Sequence, residues 1–139
     1  MQNLEQIRAK NAYNYVDNYN NNGKFAEFKT YAQKLPMMLR TNGLLATWAF
    51  LMVKKDKGKD TLRALNDHLR GQFNNHIVAT NYRDTFKNWV GYSEVQQENN
   101  LYLNNPNNPN LTQDLLREIT EEAIEYSGWL KRAAESRGE

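Results

Sequence analysis

His68 and His76 are the chain's only imidazoles, and there is no cysteine. An imidazole can ligate a metal or carry a proton near neutral pH. A helical metal pair needs two histidines four apart on one face, whereas these are eight apart, and no Glu-x-x-His occurs. His68 therefore reads as a helix-surface or half-buried residue rather than a ligand. Thiolate nucleophiles, thiolate metal sites and disulfides are excluded by composition. No Gly-x-x-x-x-Gly-Lys-Ser/Thr loop is present to cradle a phosphate, and no Gly-x-Ser-x-Gly elbow to present a serine. Adjacent Glu121 and Glu122 lie on an amphipathic pattern and read as a solvated face rather than an acid–base pair. These residues predict no catalytic group, no metal and no cofactor, and so a binding or scaffolding module.

Charge is the remaining chemistry. Net charge is only +2, but residues 24–63 hold nine Lys/Arg against three acids, while residues 101–139 hold four against seven. A locally basic surface favours a polyanionic partner, although a merely solvated face fits the same counts. No apolar run reaches the roughly 18 residues of a membrane span. The start, Met-Gln-Asn-Leu-Glu-Gln-Ile, lacks a signal-peptide core. A cytoplasmic protein without a membrane partner is expected.

The elements that must carry these residues are helical. The densest apolar stretch is Leu35 to Val53, in which Leu44, Leu45, Trp48, Leu51 and Met52 recur at three- and four-residue spacing. It predicts the most buried helix, from about Gly43 to Lys54 or Lys55, with Thr47 and Asn42 as its polar interior residues. Pro36 predicts a helix stop followed by a short turn through Leu39, and Asn42-Gly43 a turn or helix end that tolerates positive φ. A first helix is expected over Asn3–Tyr19, ended by Asn20-Asn21-Asn22-Gly23 with Gly23 just past its terminus, and a second over Lys24–Leu35. Residues 54–60 read as an exposed, mobile linker. Asp60 or Thr61 caps the next helix, striped by Leu62, Leu65, Leu69 and Phe73. Ile77, Val78, Tyr82, Phe86, Trp89 and Val90 suggest another, with Thr80 or Asn81 as its cap. Residues 99–110, rich in Asn and Pro, predict a long loop. The last helix runs from Thr112 to about Ser136, with Thr120 a place where it can divide. The expected fold is all-α, one domain over residues 1–139 built as a bundle of about five to seven helices. Trp48 and Trp129 fall on apolar stripes and are expected in the core.

Two segments together resemble a known family. One is Leu35-Pro36-x-Met38-Leu39-Arg40-x-Asn42-Gly43-Leu44 followed by Ala49-Phe50-Leu51. The other is Thr120-x-Glu122-Ala123-x-x-Tyr126, then Trp129-Leu130-Lys131-Arg132-x-Ala134-Glu135. In this order, within a short helical chain, they resemble the small subunit of the type III-B (Cmr) CRISPR effector complex. The start, Asn3-Leu4-Glu5-Gln6-x-Arg8-Ala9, is also similar, while the 99–110 loop looks like an insertion.

The resemblance implies a non-catalytic helical subunit that stacks in multiple copies beside the backbone subunits holding the guide RNA. It implies partnership with guide RNA, target RNA, and the backbone and large subunits of the complex. Such a subunit must accept any target sequence, so it should contact phosphate and sugar rather than base edges. The candidate RNA contacts are Arg40, Asn42, Lys54, Lys55, Lys131 and Arg132. Two alternatives remain open at this point: a free-standing helical adapter whose basic face binds an acidic protein, and the small subunit of a related RNA-guided system.

Overall fold

The computed structural model describes residues 2–20, 23–91 and 111–137, so the 99–110 segment lies outside the described residues. Among the described residues five α-helices follow one another: α1 (Leu4–Asp17), α2 (Phe25–Val53), α3 (Lys59–Gln72), α4 (Tyr82–Val90) and α5 (Gln113–Arg137), with a 3-10 turn at Lys55–Lys57. No strand occurs among the described residues. The fold is an all-α bundle. α5 packs along α2 and α1, α3 closes against α2 and α5, and α4 touches α2 and α3.

Local chemistry explains the helix ends. Asn3 and Gln6 cap α1 reciprocally: the Asn3 side chain accepts the Gln6 N–H at 2.8 Å, and the Gln6 side chain accepts the Asn3 N–H at 2.9 Å. At the other end of α1, Arg137 donates to the carbonyls of Val16 and Tyr19, both at 2.9 Å, and its guanidinium lies 4.3 Å from the centre of the Phe25 ring. The last turn of α5 thereby adds a side-chain donor to the Val16 carbonyl, which also accepts the Tyr19 N–H at 3.2 Å, and ties the chain just past α1 to α5. Asn81 caps α4, accepting from the N–H groups of Arg83 and Asp84, as one of the two expected caps.

The structure departs from the expected boundaries in several places. Pro36 does not stop a helix; it is buried inside α2. Proline in a helix interior costs about 3 kcal/mol or more. Each fully buried large apolar side chain supplies roughly 1.5–3 kcal/mol, and Phe28, Leu35 and Leu39 on the same stripe are at most 1% exposed. Burial wins, and the helix continues. The break comes at Gly43, with φ 83° and ψ 173°, dividing α2 into arms at 25–42 and 44–53. No atom would crowd a β-carbon there, so backbone conformation alone demands glycine. Thr47, buried as expected, donates across the break to the Met38 carbonyl at 3.0 Å. Asn42 is exposed rather than interior. Gly23 lies well past Asn18, the C-cap of α1, and takes its positive φ (75°) ahead of α2.

The linker expected at 54–60 is exposed at Lys54, Asp56 and Lys57, but Lys55–Lys57 form a 3-10 turn against the end of α2, α3 already begins at Lys59, and Gly58 and Asp60 are buried. A β-carbon on Gly58 would stand 2.5 Å from the Leu51 carbonyl oxygen, so this turn closes only with glycine. Gly58 occupies the cap position of α3, and Asp60 serves elsewhere. Its carboxylate accepts the Tyr19 hydroxyl at 2.7 Å and pairs with Arg63 at 3.0 Å, while its carbonyl accepts the Tyr15 hydroxyl. Thr120 does not divide α5; its hydroxyl bonds back to the Leu116 carbonyl within an unbroken helix.

Trp48 is fully buried, as expected. Its indole N–H donates to the Tyr82 carbonyl at 3.0 Å and its ring meets Trp89 edge-on at 4.7 Å. Leu35, Leu51, Leu65, Ile119 and Leu130 pack in the same core. Trp129 is only partly buried.

Candidate nucleic-acid interface

The six residues singled out from the sequence lie on α2, the turn that follows it, and α5. Arg40 and Asn42 occupy the end of the first arm of α2, just before the Gly43 break, and both are exposed. Lys54 caps the second arm through its backbone N–H. Its ammonium lies 4.9 Å from the Phe50 ring centre. Lys55 opens the 3-10 turn, and its side chain lies outside the described residues. Lys131 and Arg132 are exposed near the C-terminal end of α5. The Arg132 guanidinium lies 4.8 Å from the Trp129 ring centre, a cation–π contact that orders the charge without neutralising it. Gln33 donates to Glu135 at 3.2 Å, which fixes this end of α5 against the first arm of α2.

Charge pairing separates these cations from some others, although the exposed Lys10, Lys34 and Lys57 also have no carboxylate partner among the described residues. Arg8, Lys59, Arg63 and Arg117 each pair with a carboxylate. Arg40, Lys54, Lys131 and Arg132 pair with none among the described residues, and no hydrogen bond joins any two of them.

Where α1, α3 and α5 meet lies a polar network that spacing alone did not disclose. Glu122 is 7% exposed, not part of a solvated face, although its neighbour Glu121 is exposed. Arg8 from α1 donates to both its oxygens, Nε to Oε2 at 2.8 Å and Nη2 to Oε1 at 2.7 Å. His68 from α3 is buried, not on the surface. Its Nε2 stands 2.8 Å from Glu122 Oε2, and its Nδ1 stands 2.9 Å from the Asn11 side-chain nitrogen. A nitrogen facing a carboxylate needs a proton to donate, so Nε2 carries one. The imidazole lies flat on Tyr126, 4.1 Å between ring centres and 6° between planes.

Burial by itself pushes the Glu122 carboxyl upward. The hydrogen bonds and charge of Arg8, with help from His68, outweigh that and hold it down at about 2. The result is a carboxylate that accepts three hydrogen bonds, two at Oε2 and one at Oε1, tying α1, α3 and α5 at one point. Arg8 and Glu122 both fall in the segments that carry the resemblance, so a signal for them existed; what it lacked was that they meet.

Residues 4–137 match the protein family described as CRISPR-associated protein (Cas_Cmr5). The chain belongs to the Cas_Cmr5 family. It is a small subunit of the Cmr, or type III-B, class of CRISPR-associated proteins. No solved structure matches the chain. In this Cas_Cmr5 chain the two resemblance segments occupy different helices, α2 and α5, and those helices pack along each other. Among the described residues no group of three metal-ligating side chains is placed to hold an ion. No described helix is long and apolar enough to cross a membrane.

Proposed function

We propose that this Cas_Cmr5 chain is a non-catalytic subunit of a type III-B ribonucleoprotein effector in the cytoplasm. Several copies stack beside the guide-holding backbone and line the path of the guide–target duplex. Arg40, Asn42, Lys54, Lys55, Lys131 and Arg132 contact its phosphates and sugars. The observation that carries this reading is the set of exposed cations on α2 and α5 with no carboxylate partner among the described residues. Cations already neutralised by a neighbour release few counterions from RNA, whereas unpaired ones gain the full effect. Copies acting together multiply a modest charge per subunit. Val53 (73% exposed) and Phe50 (44% exposed), apolar and next to Lys54, favour a protein neighbour at that end of α2. The hydrogen-bonded Arg8–Glu122–His68 network supports a structural rather than catalytic role for these three groups.

The test is RNA binding across a salt series, with the complex reconstituted from its subunits. Replacing Lys131 and Arg132 by Glu should weaken target-RNA retention and flatten the salt slope by about 0.7 for each phosphate no longer neutralised. An unchanged slope, with the same variant losing affinity for an acidic protein, would instead establish the helical-adapter reading.

A further inference from the structure

Trp129 and Arg132 stand three positions apart on α5, so their side chains meet on one face of the helix. The guanidinium carbon lies 4.8 Å from the centre of the indole ring. Glu135 is also three positions from Arg132, in the other direction, yet its hydrogen bond comes from Gln33. The arginine therefore rests on the ring, exposed and without a carboxylate among the described residues. Trp129 is only partly buried. Its indole N–H bonds to no described residue, whereas that of Trp48 donates to the Tyr82 carbonyl. A guanidinium is planar and weakly hydrated. With one side on an indole, its other side is a flat cationic surface open to solvent.

Gly128 is an independent observation on the same face. Glycine inside a helix is destabilising relative to alanine, so its presence calls for a reason. Its φ is not positive, and it falls on the side of α5 away from the buried Tyr126 and Leu130. Beyond its own helix backbone and chain neighbours, a β-carbon there would meet a single atom, Nη1 of Arg132, at 3.5 Å. Packing within this chain does not require glycine at this position. The missing side chain instead bares the flank of the guanidinium, against which any longer side chain would stand.

We propose that Trp129 and Arg132 form a stacking platform for an unpaired RNA base, with Gly128 keeping the approach open. The base lies on the outer face of the Arg132 guanidinium. Trp129 is the positioning residue that holds this plane, and its indole N–H is a donor at the platform's edge. Base faces carry no hydrogen-bond code, so the contact tolerates any sequence, as phosphate contacts do. Glu121 and Glu125 are exposed on the N-terminal side of Gly128, so the phosphates run past Lys131 instead. The inference rests on the RNA-contacting reading above and deepens it: Arg132 acts through its plane as well as its charge.

The experiment compares two RNAs of equal length on the full chain at low salt, oligouridylate and oligo-dihydrouridylate. They share phosphates, ribose hydroxyls and base edges, but the reduced ring is neither flat nor aromatic. Dihydrouridylate should bind about fivefold more weakly, with an equal salt slope. Arg132→Lys keeps the charge and loses the plane, so it should bind the two RNAs alike at the unaltered slope. Equal affinity of the unaltered protein for both RNAs, with binding that still falls as salt rises, would overturn the platform and leave the phosphate contacts standing. That comparison needs no variant to fold. A preference for the flat base that survives Arg132→Lys would overturn the platform too. Absence of salt-sensitive binding to either RNA would overturn the RNA reading and the platform together.

Discussion

Replacing Glu122 by Gln keeps the shape of the buried network and removes its charge. The carboxylate sits well below its ordinary value of 4.5, at about 2. At 1.36 kcal/mol per unit, that difference makes the ionised form worth about 3 kcal/mol to the folded state at neutral pH. Removing one partner of a buried pair costs about 3–5 kcal/mol by the general rule, which agrees. Gln adds a further conflict. Its amide nitrogen is a donor, yet every group around the Glu122 oxygens (Arg8 Nε and Nη2, His68 Nε2) also donates.

The pH dependence has a definite sign. A carboxyl depressed in the folded state stabilises fully above its unfolded value and loses that contribution as pH falls through the folded one. The advantage of the unaltered protein over Glu122→Gln should therefore be about 3 kcal/mol at pH 7, about 1.4 at pH 3 and about 0.4 at pH 2. Urea unfolding followed by circular dichroism reads it, with an unchanged denaturant slope as the check that only stability moved. A difference below about 1 kcal/mol at pH 7, or one that stays constant from pH 7 to pH 3, would refute the assignment of Glu122 as the charged centre.

Other expectations are narrower. Gly43→Ala must place a β-carbon at φ 83° and ψ 173° and should cost about 1–3 kcal/mol although nothing crowds the site, read as a lowered thermal midpoint. Gly58→Ala should cost a similar 1–3 kcal/mol for the opposite reason, the 2.5 Å approach to the Leu51 carbonyl, and substitutions larger than Ala should cost more. Asn81→Ala removes the acceptor for two N–H groups at the start of α4 and should cost about 1 kcal/mol, with exchange protection falling first in that helix. Arg40→Glu touches no partner among the described residues and should change stability by less than about 0.5 kcal/mol while weakening RNA retention in the assembled complex.

Much of the fold is legible from the order of residues because helical burial is periodic. The stripes through Phe25, Phe28 and Ala32, through Leu62, Leu65 and Leu69, and through Ile119, Ala123, Tyr126 and Leu130 are buried in the structure as their spacing implies. Gly43 and Asn81 announce themselves too, since a positive φ and a side-chain cap are local matters settled by the residue type. The pairing of the Leu35–Leu51 and Thr120–Glu135 segments points to the family.

Tertiary structure decides the rest. Whether Pro36 ends a helix depends on how much apolar surface lies beyond it and finds cover, which local preference does not measure. Whether Glu122 is solvated depends on Arg8, 114 positions away, and on His68, 54 positions away. The 3.6-residue period says which side of α5 Glu122 shares with Tyr126; only packing says that a guanidinium and an imidazole from two other helices arrive there. Asp60 illustrates the same limit, a plausible cap by position that becomes a buried acceptor once Tyr19 and Arg63 reach it. Residue order alone determines the helices, their apolar faces and the kinship, because these rest on interactions within a few residues. The polar junction exists only in three dimensions, because it is made by helices distant in the chain.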